Sequence, residues 1–315
     1  MMPTPGPVLA ADLGGTKITA GVVLDSGEVL AVRTVATGAM RGPEAILGDL
    51  HRELHAARTE ALAAGAGEPV AVGIGTAGVV DPAGGVITAA TDAIPGWVGT
   101  AIGPRTQEAL GLPTRVLNDV HAHGLGEAVA GAGADRESML LVAVGTGIGG
   151  AIVRGGQVVT GHRAAAAHVG HVPVPEADGV RCTCGRMGHL EGLASGPGTL
   201  QAYRRSGGQA GDTRELVAQA EAGNALAARV LGRCAHAVGR MIGAMLNVFD
   251  VEAVVLTGGM AGAGQLWWDG VRGGVADEAM DLMAGAPILP AGAGANAALL
   301  GAAQFARQLE EPKGR

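Results

Sequence analysis

The run VLAADLGGTKITAGVV, residues 8–23, sets the reading of this chain. Pro7–Asp12 is largely apolar, Gly14-Gly15 interrupts it, and Ile18–Leu24 resumes the apolar run, so two strands joined by a glycine turn are predicted. Asp25-Ser26-Gly27 supplies the next turn, and Glu28–Val35 returns as a third strand to complete a meander. About 130 residues further on the plan recurs, as Ser138–Val144, a turn at Gly145-Thr146-Gly147, Ile148–Val153, a turn at Gly155-Gly156, and Gln157–Thr160. The chain reads as duplicated.

Working outward from the first meander, Ile46, Leu47, Leu50, Leu54 and Leu62 fall at helical spacing within Pro43–Ala64. Val70–Gly75 is predicted as a buried strand, Thr100–Leu110 as a helix, Thr114–Leu117 as a strand and Val120–Ala130 as a helix, giving βββαβαβα in outline. The second half departs from this plan through an irregular stretch, His162–Gly188. Helices resume around Leu190, Gly198 and Asp212 and over Ala225–Phe249, and the strand Ala253–Leu256 leads to a glycine turn at Gly258-Gly259. A closing helix, Ala295–Leu309, is expected to pack back on the first half. The fold class is α/β, two similar halves facing a cleft, with a first lobe of 1–118 plus 295–315 and a second of 119–294 that carries the loop 162–191.

Composition narrows the function. Hydrophobic residues are 48% and charged residues 16% of the 315, enough apolar surface for a sizeable core. Lys plus Arg number 22 against 29 Asp plus Glu, and aromatics are 2%, so neither a basic footprint nor a base-stacking platform is present and nucleic acid is disfavoured as partner. Gly is 56 of the residues without a three-residue period, which assigns the glycines to turns rather than a collagen helix. The start, Met-Met-Pro-Thr-Pro-Gly-Pro, lacks a basic n-region, and the apolar run behind it meets Asp12, so neither signal peptide nor membrane span is expected and a cytoplasmic address follows.

Asp12-Leu13-Gly14-Gly15-Thr16-Lys17 sets a carboxylate, two residues without side chains, a hydroxyl and an ammonium within one turn. Backbone N–H groups at such glycines can approach phosphate oxygens, and the Asp can hold hydrated Mg²⁺. An ordinary glycine hairpin would read the same. Lys17 weighs toward phosphate, because the chain has twenty arginines and only two lysines. Gly145-Thr146-Gly147-Ile148-Gly149-Gly150 matches the G-x-G-x-x-G dinucleotide fingerprint, but Ala151-Ile152-Val153 continues as a strand where that fingerprint needs a helix. No Walker A spacing occurs. Two hairpin turns, one from each half, remain as candidates to clasp one polyphosphate.

These segments, together with Asn118-Asp119, His168-Val169-Gly170-His171, Cys182-Thr183-Cys184-Gly185-Arg186-Met187-Gly188-His189-Leu190-Glu191 and Thr257-Gly258-Gly259, resemble in order the ROK family of sugar kinases and repressors. The resemblance covers essentially the whole chain, and the cysteine-rich stretch is its most specific part. It implies the two-lobed, duplicated actin/hexokinase-like (ribonuclease H-like) fold. Family repressors carry a helix-turn-helix before the first glycine turn, and only eleven residues precede Asp12, so the kinase branch is implied.

The matching Asp of the family is the catalytic base, which assigns Asp119 that role, although Asn-Asp at a strand end is also an ordinary helix cap. The family's Asn-Asp-Ala-Asn is Asn118-Asp119-Val120-His121 here. By the same resemblance Asn118, His168, His171 and Glu191 contact the sugar, with Gly78 and Thr91 as further contacts and Trp97 packing beneath. Glu191 would equally serve as a helix-start charge. Asp12, Gly14, Gly15, Thr16, Lys17, Gly145, Thr146 and Gly147 are assigned to ATP phosphates and Mg²⁺, and Gly258 and Gly259 to adenosine. Cys182, Cys184, His171 and His189 offer the four ligands of a closed structural Zn²⁺ site, with His189 standing where the family has a third cysteine. A pair of buried free cysteines is the alternative.

The reaction implied is transfer of the ATP γ-phosphate to the 6-hydroxyl of a hexose. The family's Glu-x-Gly-His has His168 in place of its Glu. A neutral imidazole can donate to an acceptor such as a 2-acetamido carbonyl, whereas a carboxylate cannot. Bacterial N-acetylmannosamine kinases of the family also carry His there, so N-acetylmannosamine ranks first and glucose, as for a glucokinase, second. A non-catalytic sugar-binding regulator is the reading from another class. The resemblance further implies a homo-oligomer, taken as a dimer, with no nucleic-acid or membrane partner.

Overall fold

The computed structural model describes residues 6–91 and 94–308. The leading meander forms β1 (Val8–Leu13), β2 (Lys17–Val23) and β3 (Val29–Ala36), and helix α1 (Pro43–Ala63) follows. Strand β4 (Ala71–Thr76), a hairpin of β5 (Val79–Asp81) and β6 (Val86–Ala89), helix α2 (Ile102–Leu110), strand β7 (Thr114–Asn118) and helix α3 (Asp119–Ala130) complete the first half. This is the expected order with the β5–β6 hairpin added.

The second half opens with β8 (Ser138–Val144), β9 (Ile148–Arg154) and a short β10 (Gln157–Val158). Residues 159–189 then hold two brief 3₁₀ turns and the isolated bridges Pro173–His189 and Arg181–Met187 but no named strand or α-helix, as the irregular reading of that stretch requires. Next come α4 (Leu190–Ala194), α5 (Gly196–Arg205), α6 (Thr213–Glu221), α7 (Ala225–Phe249), β11 (Ala253–Thr257), α8 (Gln265–Glu278), β12 (Ile288–Pro290) and α9 (Ala297–Arg307). Leu309, the expected end of the closing helix, and the rest of 309–315 lie outside the described residues. No helix among the described residues is long and apolar enough to cross a membrane.

Both meanders lead the same topology. One sheet runs β3-β2-β1-β4-β7 and the other β10-β9-β8-β11-β12, so the third, second and first strands of each meander are followed by two more strands. In the first sheet β1 is antiparallel to β2 and parallel to β4, and in the second β8 is parallel to β11. The repeated glycine turns thus mark a repeated sheet. The chain forms two compact units, one of the described residues up to Asp135 with 151–166 and those from Gly292 onward, the other of 136–150 with 167–291.

Within the first unit, β1 obeys the two-residue period of a strand covered on both faces. Leu9, Ala11 and Leu13 share a core with Ile46, Leu47, Leu50 and Leu54 of α1, whereas Val8 and Ala10 share one with Leu299, Leu300, Ala303 and Ala306 of α9. Helix α9 comes so close that glycine is required where it touches. A Cβ at Gly73 of β4 would overlap the Ala302 carbonyl, one at Gly126 of α3 the Ala297 carbonyl, and one at Gly301 the Ala122 carbonyl.

Candidate functional site

Strand β1 carries Asp12 as its penultimate residue, paired with Thr19 of β2 on one side and Gly75 of β4 on the other. The turn beyond is closed by Gly14 N–H donating to the Lys17 carbonyl at 3.0 Å. It is also braced from outside. The buried Thr37 donates its hydroxyl to the Gly14 carbonyl at 2.6 Å and its N–H to the Thr16 carbonyl at 2.9 Å. Sequence reasoning missed Thr37, whose only signal is a hydroxyl just past the third strand. Thr16 and Lys17 are exposed at the tip, and Gly14 and Gly15 are half-buried.

Strand β7 runs parallel to β4 and ends with Asn118 beside Thr76, so α3 starts at the strand ends. Asn118 is the N-cap, its Oδ1 accepting from Val120 N–H at 3.0 Å and His121 N–H at 3.2 Å. Its amide donates to the Gly78 carbonyl and to Asp119 Oδ1, each at 2.9 Å, so both of its hydrogens are engaged. Asp119 is therefore the first helical residue rather than the cap. Its Oδ1 also accepts from Val120 N–H at 2.9 Å, and its Oδ2 makes no hydrogen bond among the described residues. A Cβ at Gly75 would lie 2.9 Å from Ala122 Cβ and 3.6 Å from Asp119 Cα, so glycine in β4 is what admits the first turn of α3. Thr91 is exposed past β6, and no hydrogen bond among the described residues ties it to this group. Trp97 is buried and donates Nε1–H to the Ala77 carbonyl at 3.2 Å, a packing role.

Both carboxyl groups are raised. Burial, and then the charge of Asp119, push Asp12 up to about 6 against the pull of Lys17. Burial pushes Asp119 up as well, opposed by the Val120 N–H, the Asn118 amide and His123. A divalent cation held there would favour both ionised forms at once, so the donor set suits Mg²⁺.

In the second unit the β8–β9 turn is closed by Gly145 N–H on the Gly147 carbonyl at 2.9 Å, with Thr146 and Gly147 exposed. Gly196 N–H, at the start of α5, donates to the Gly145 carbonyl at 2.8 Å. Gly258 packs against the Val144 carbonyl, and Gly259 N lies 4.0 Å from where a Gly145 Cβ would be, so the turn after β11 and the β8–β9 turn are neighbours. Glu191 lies in the first turn of α4. Its Oε2 accepts from Ile148 N–H at 2.9 Å and its Oε1 from the Thr183 hydroxyl.

The Cys/His segment brings together all four expected ligands. One donor atom from each of His171, Cys182, Cys184 and His189 lies within 4.8 Å of the others. Cys182 Sγ is 3.6 Å from His171 Nδ1, and Cys184 Sγ is 3.2 Å from His189 Nδ1. Zn–S and Zn–N bonds of about 2.3 and 2.0 Å in a tetrahedron place neighbouring ligands roughly 3.3–3.8 Å apart, so these residues fit zinc with little movement. Burial draws His171 down against the opposing charge of Glu191, with His168 and His189 adding to the fall, which favours the neutral imidazole a metal requires. His168 stands outside the set, exposed, its ring 6.2 Å from that of His171.

Known proteins match this chain over most of its length. The ROK family profile matches residues 8–309. The N-acetylmannosamine kinase of Citrobacter koseri is 32% identical over 271 residues, covering 86% of this chain and 89% of that protein. Among solved structures, the ROK hexokinase from Thermus thermophilus matches with a TM-score of 0.84 at 35% identity, over 95% of this chain and 97% of that one. A ROK family glucokinase from Streptomyces griseus, in complex with glucose and AMPPNP, matches with a TM-score of 0.78 at 28% identity, over 96% of this chain and 100% of that one. The fold is that of these kinases, the two-lobed actin-like class. A profile that spans all but the ends means that the chain belongs to the ROK family.

Proposed function

We propose that this protein is an ATP-dependent sugar kinase that phosphorylates the 6-hydroxyl of a hexose. What carries the reading is Asp119: a carboxylate at the start of α3, its Oδ1 fixed by the Val120 N–H and the Asn118 amide and its Oδ2 free of hydrogen bonds among the described residues. A general base needs that combination of fixed orientation and an open oxygen. Oδ2 draws the proton from the sugar 6-hydroxyl as the hydroxyl oxygen bonds to the γ-phosphorus of ATP and the bond from that phosphorus to the β–γ bridging oxygen breaks, releasing ADP.

Around that step the other residues bind and orient. Asn118 holds Asp119 through its amide while its Oδ1 caps α3, so its part in sugar binding is to orient Asp119. His168, His171 and Glu191 recognise the sugar, and Gly78 and Thr91 are assigned to it as further contacts. Gly14, Gly15, Thr16, Lys17, Gly145, Thr146 and Gly147 cradle phosphate, Gly258 and Gly259 take the adenosine, and Asp12 holds Mg²⁺. Bound Mg²⁺ supplies neutralisation of phosphate charge, and bound Zn²⁺ at His171, Cys182, Cys184 and His189 supplies rigidity to the loop that ends at Glu191. The protein works in the cytoplasm as a homo-oligomer, taken as a dimer, on small molecules rather than nucleic acid or membrane.

For the sugar, N-acetylmannosamine ranks first because His168 can donate a hydrogen bond where a carboxylate could only accept, and the Citrobacter koseri relative bears that name. Glucose is the second reading, favoured by the glucose-bound Streptomyces griseus structure. Comparing kcat/KM on N-acetylmannosamine, N-acetylglucosamine and glucose with ATP·Mg²⁺ decides between them, and a large preference for glucose overturns the ranking. Ligand-induced stabilisation by a sugar without ADP release would instead identify a non-catalytic regulator.

A further inference from the structure

Glu191 is held at both carboxylate oxygens by its own unit, and one of the two anchors lies between the metal-ligand thiols. We propose that Thr183 is a positioning residue for sugar recognition, its hydroxyl fixing the Glu191 carboxylate and tying its orientation to the Cys/His loop. The inference rests on the reading of Glu191 as a sugar contact.

The hydrogen-bond chemistry has one solution. An ionised carboxylate has no proton to give, so between Thr183 Oγ1 and Glu191 Oε1 the hydroxyl is the donor. The same hydroxyl has a second neighbour, Cys182 Sγ at 3.8 Å, but the carboxylate is closer and the stronger acceptor. The other anchor is the Ile148 N–H on Oε2 at 2.9 Å, one residue beyond the Gly145–Gly147 turn. With one anchor the carboxylate could rotate about its last bond, whereas anchors on separate oxygens fix its plane. Each oxygen still keeps a lone pair for a sugar hydroxyl. The Ile148 anchor is main chain and no side-chain change removes it, which leaves Thr183 as the adjustable half.

Position 183 also tolerates change. Thr183 is exposed, and the turn around it is closed by main-chain bonds, Cys182 N–H to the Arg186 carbonyl at 2.8 Å and Gly185 N–H to the Cys182 carbonyl at 2.9 Å. Thr183→Val removes the donor and keeps the shape, while Thr183→Ser restores it.

The test compares the wild-type protein with both variants in three measurements: steady-state KM for sugar and for ATP, the sugar-induced shift in melting temperature without nucleotide, and the zinc-to-protein ratio. Thr183→Val is expected to raise the sugar KM about tenfold with the ATP KM within about twofold, to shrink the sugar-induced thermal shift in step, and to keep its zinc. Thr183→Ser is expected to recover most of the loss. An unchanged sugar KM in Thr183→Val overturns the proposal, as do equal impairment of Thr183→Ser and zinc loss in parallel with affinity. Failure of the sugar-kinase reading looks different, because there the wild-type protein itself releases no ADP with any sugar.

Discussion

Replacing Asp12 with Asn should make the ligand-free protein more stable at neutral pH, although it removes a residue assigned to the reaction. The folded protein raises Asp12 from 3.8 to about 6. The native state therefore holds that proton more firmly than the unfolded chain does, and stability falls as pH rises between those two values. Above about 6 the loss is complete. Two units at about 1.36 kcal/mol each give a ceiling of roughly 3 kcal/mol, and since Asp12 is only half-buried about half of that is the better expectation. Asn keeps the shape without the charge, so Asp12→Asn should recover about 1.5 kcal/mol at pH 7.5, or roughly 2–3 °C in melting temperature for a chain of this size. At pH 4, where the native carboxyl is already protonated, the gain should shrink toward zero. The assay is thermal unfolding of both proteins at the two pH values in EDTA. In an Asp119→Asn background the gain should be smaller, because the charge of Asp119 is the second cause of the shift. A variant that is less stable at pH 7.5, or that gains equally at both pH values, refutes the account of this carboxyl pair.

Asp119→Asn keeps the Oδ1 acceptor for the Val120 N–H, so circular dichroism and melting should stay near wild type while kcat falls about 10²- to 10⁴-fold, and near-normal turnover would remove the base assignment. Glu127 is fully buried and accepts from the N–H groups of Ala132, Gly292 and Ala293 at 3.0, 2.9 and 3.0 Å. Glu127→Ala strands all three and should cost about 3–5 kcal/mol in denaturant unfolding, with Glu127→Gln losing clearly less. Chelation should release close to one zinc per chain by metal analysis and lower the melting temperature by several degrees, and His189→Cys should hold zinc at least as tightly. Chelation without any metal released would mean a thiol pair with no resident ion.

The meanders were legible because each glycine turn interrupts an apolar run, and that pattern depends only on neighbours in the chain. Asp119 was legible for the same reason: a strand ends, two capping-type residues follow, and a helix begins. What stayed hidden depends on residues far apart. Thr37 bracing the Gly14 carbonyl and Thr183 engaging Glu191 each rest on a single hydroxyl whose partner is known only once the chain is folded. Helix α8 is not among the elements read from the sequence, and it carries Gly270, Gly273 and Gly274, which weaken a helical pattern. In the fold two of these make room for α7: a Cβ at Gly270 would sit 2.7 Å from Ala235 Cβ, and one at Gly274 would overlap the His236 carbonyl. Small residues unfavourable for an isolated helix are favourable where two helices touch, and composition alone cannot separate those cases. Asn118 was expected at the sugar, and its two amide hydrogens proved to be engaged within the protein.

The glycine-lined seat of α9 has a consequence for biosynthesis. Its walls, Gly73 and Gly126, belong to the first part of the chain, whereas the helix that fills it begins at Ala297, after the whole of the second unit has been translated. The nascent first unit therefore leaves Val8, Ala10, Val23 and Ala71 bare on one sheet face while ribosomes are still at work, and its final closure waits for the last helix to emerge.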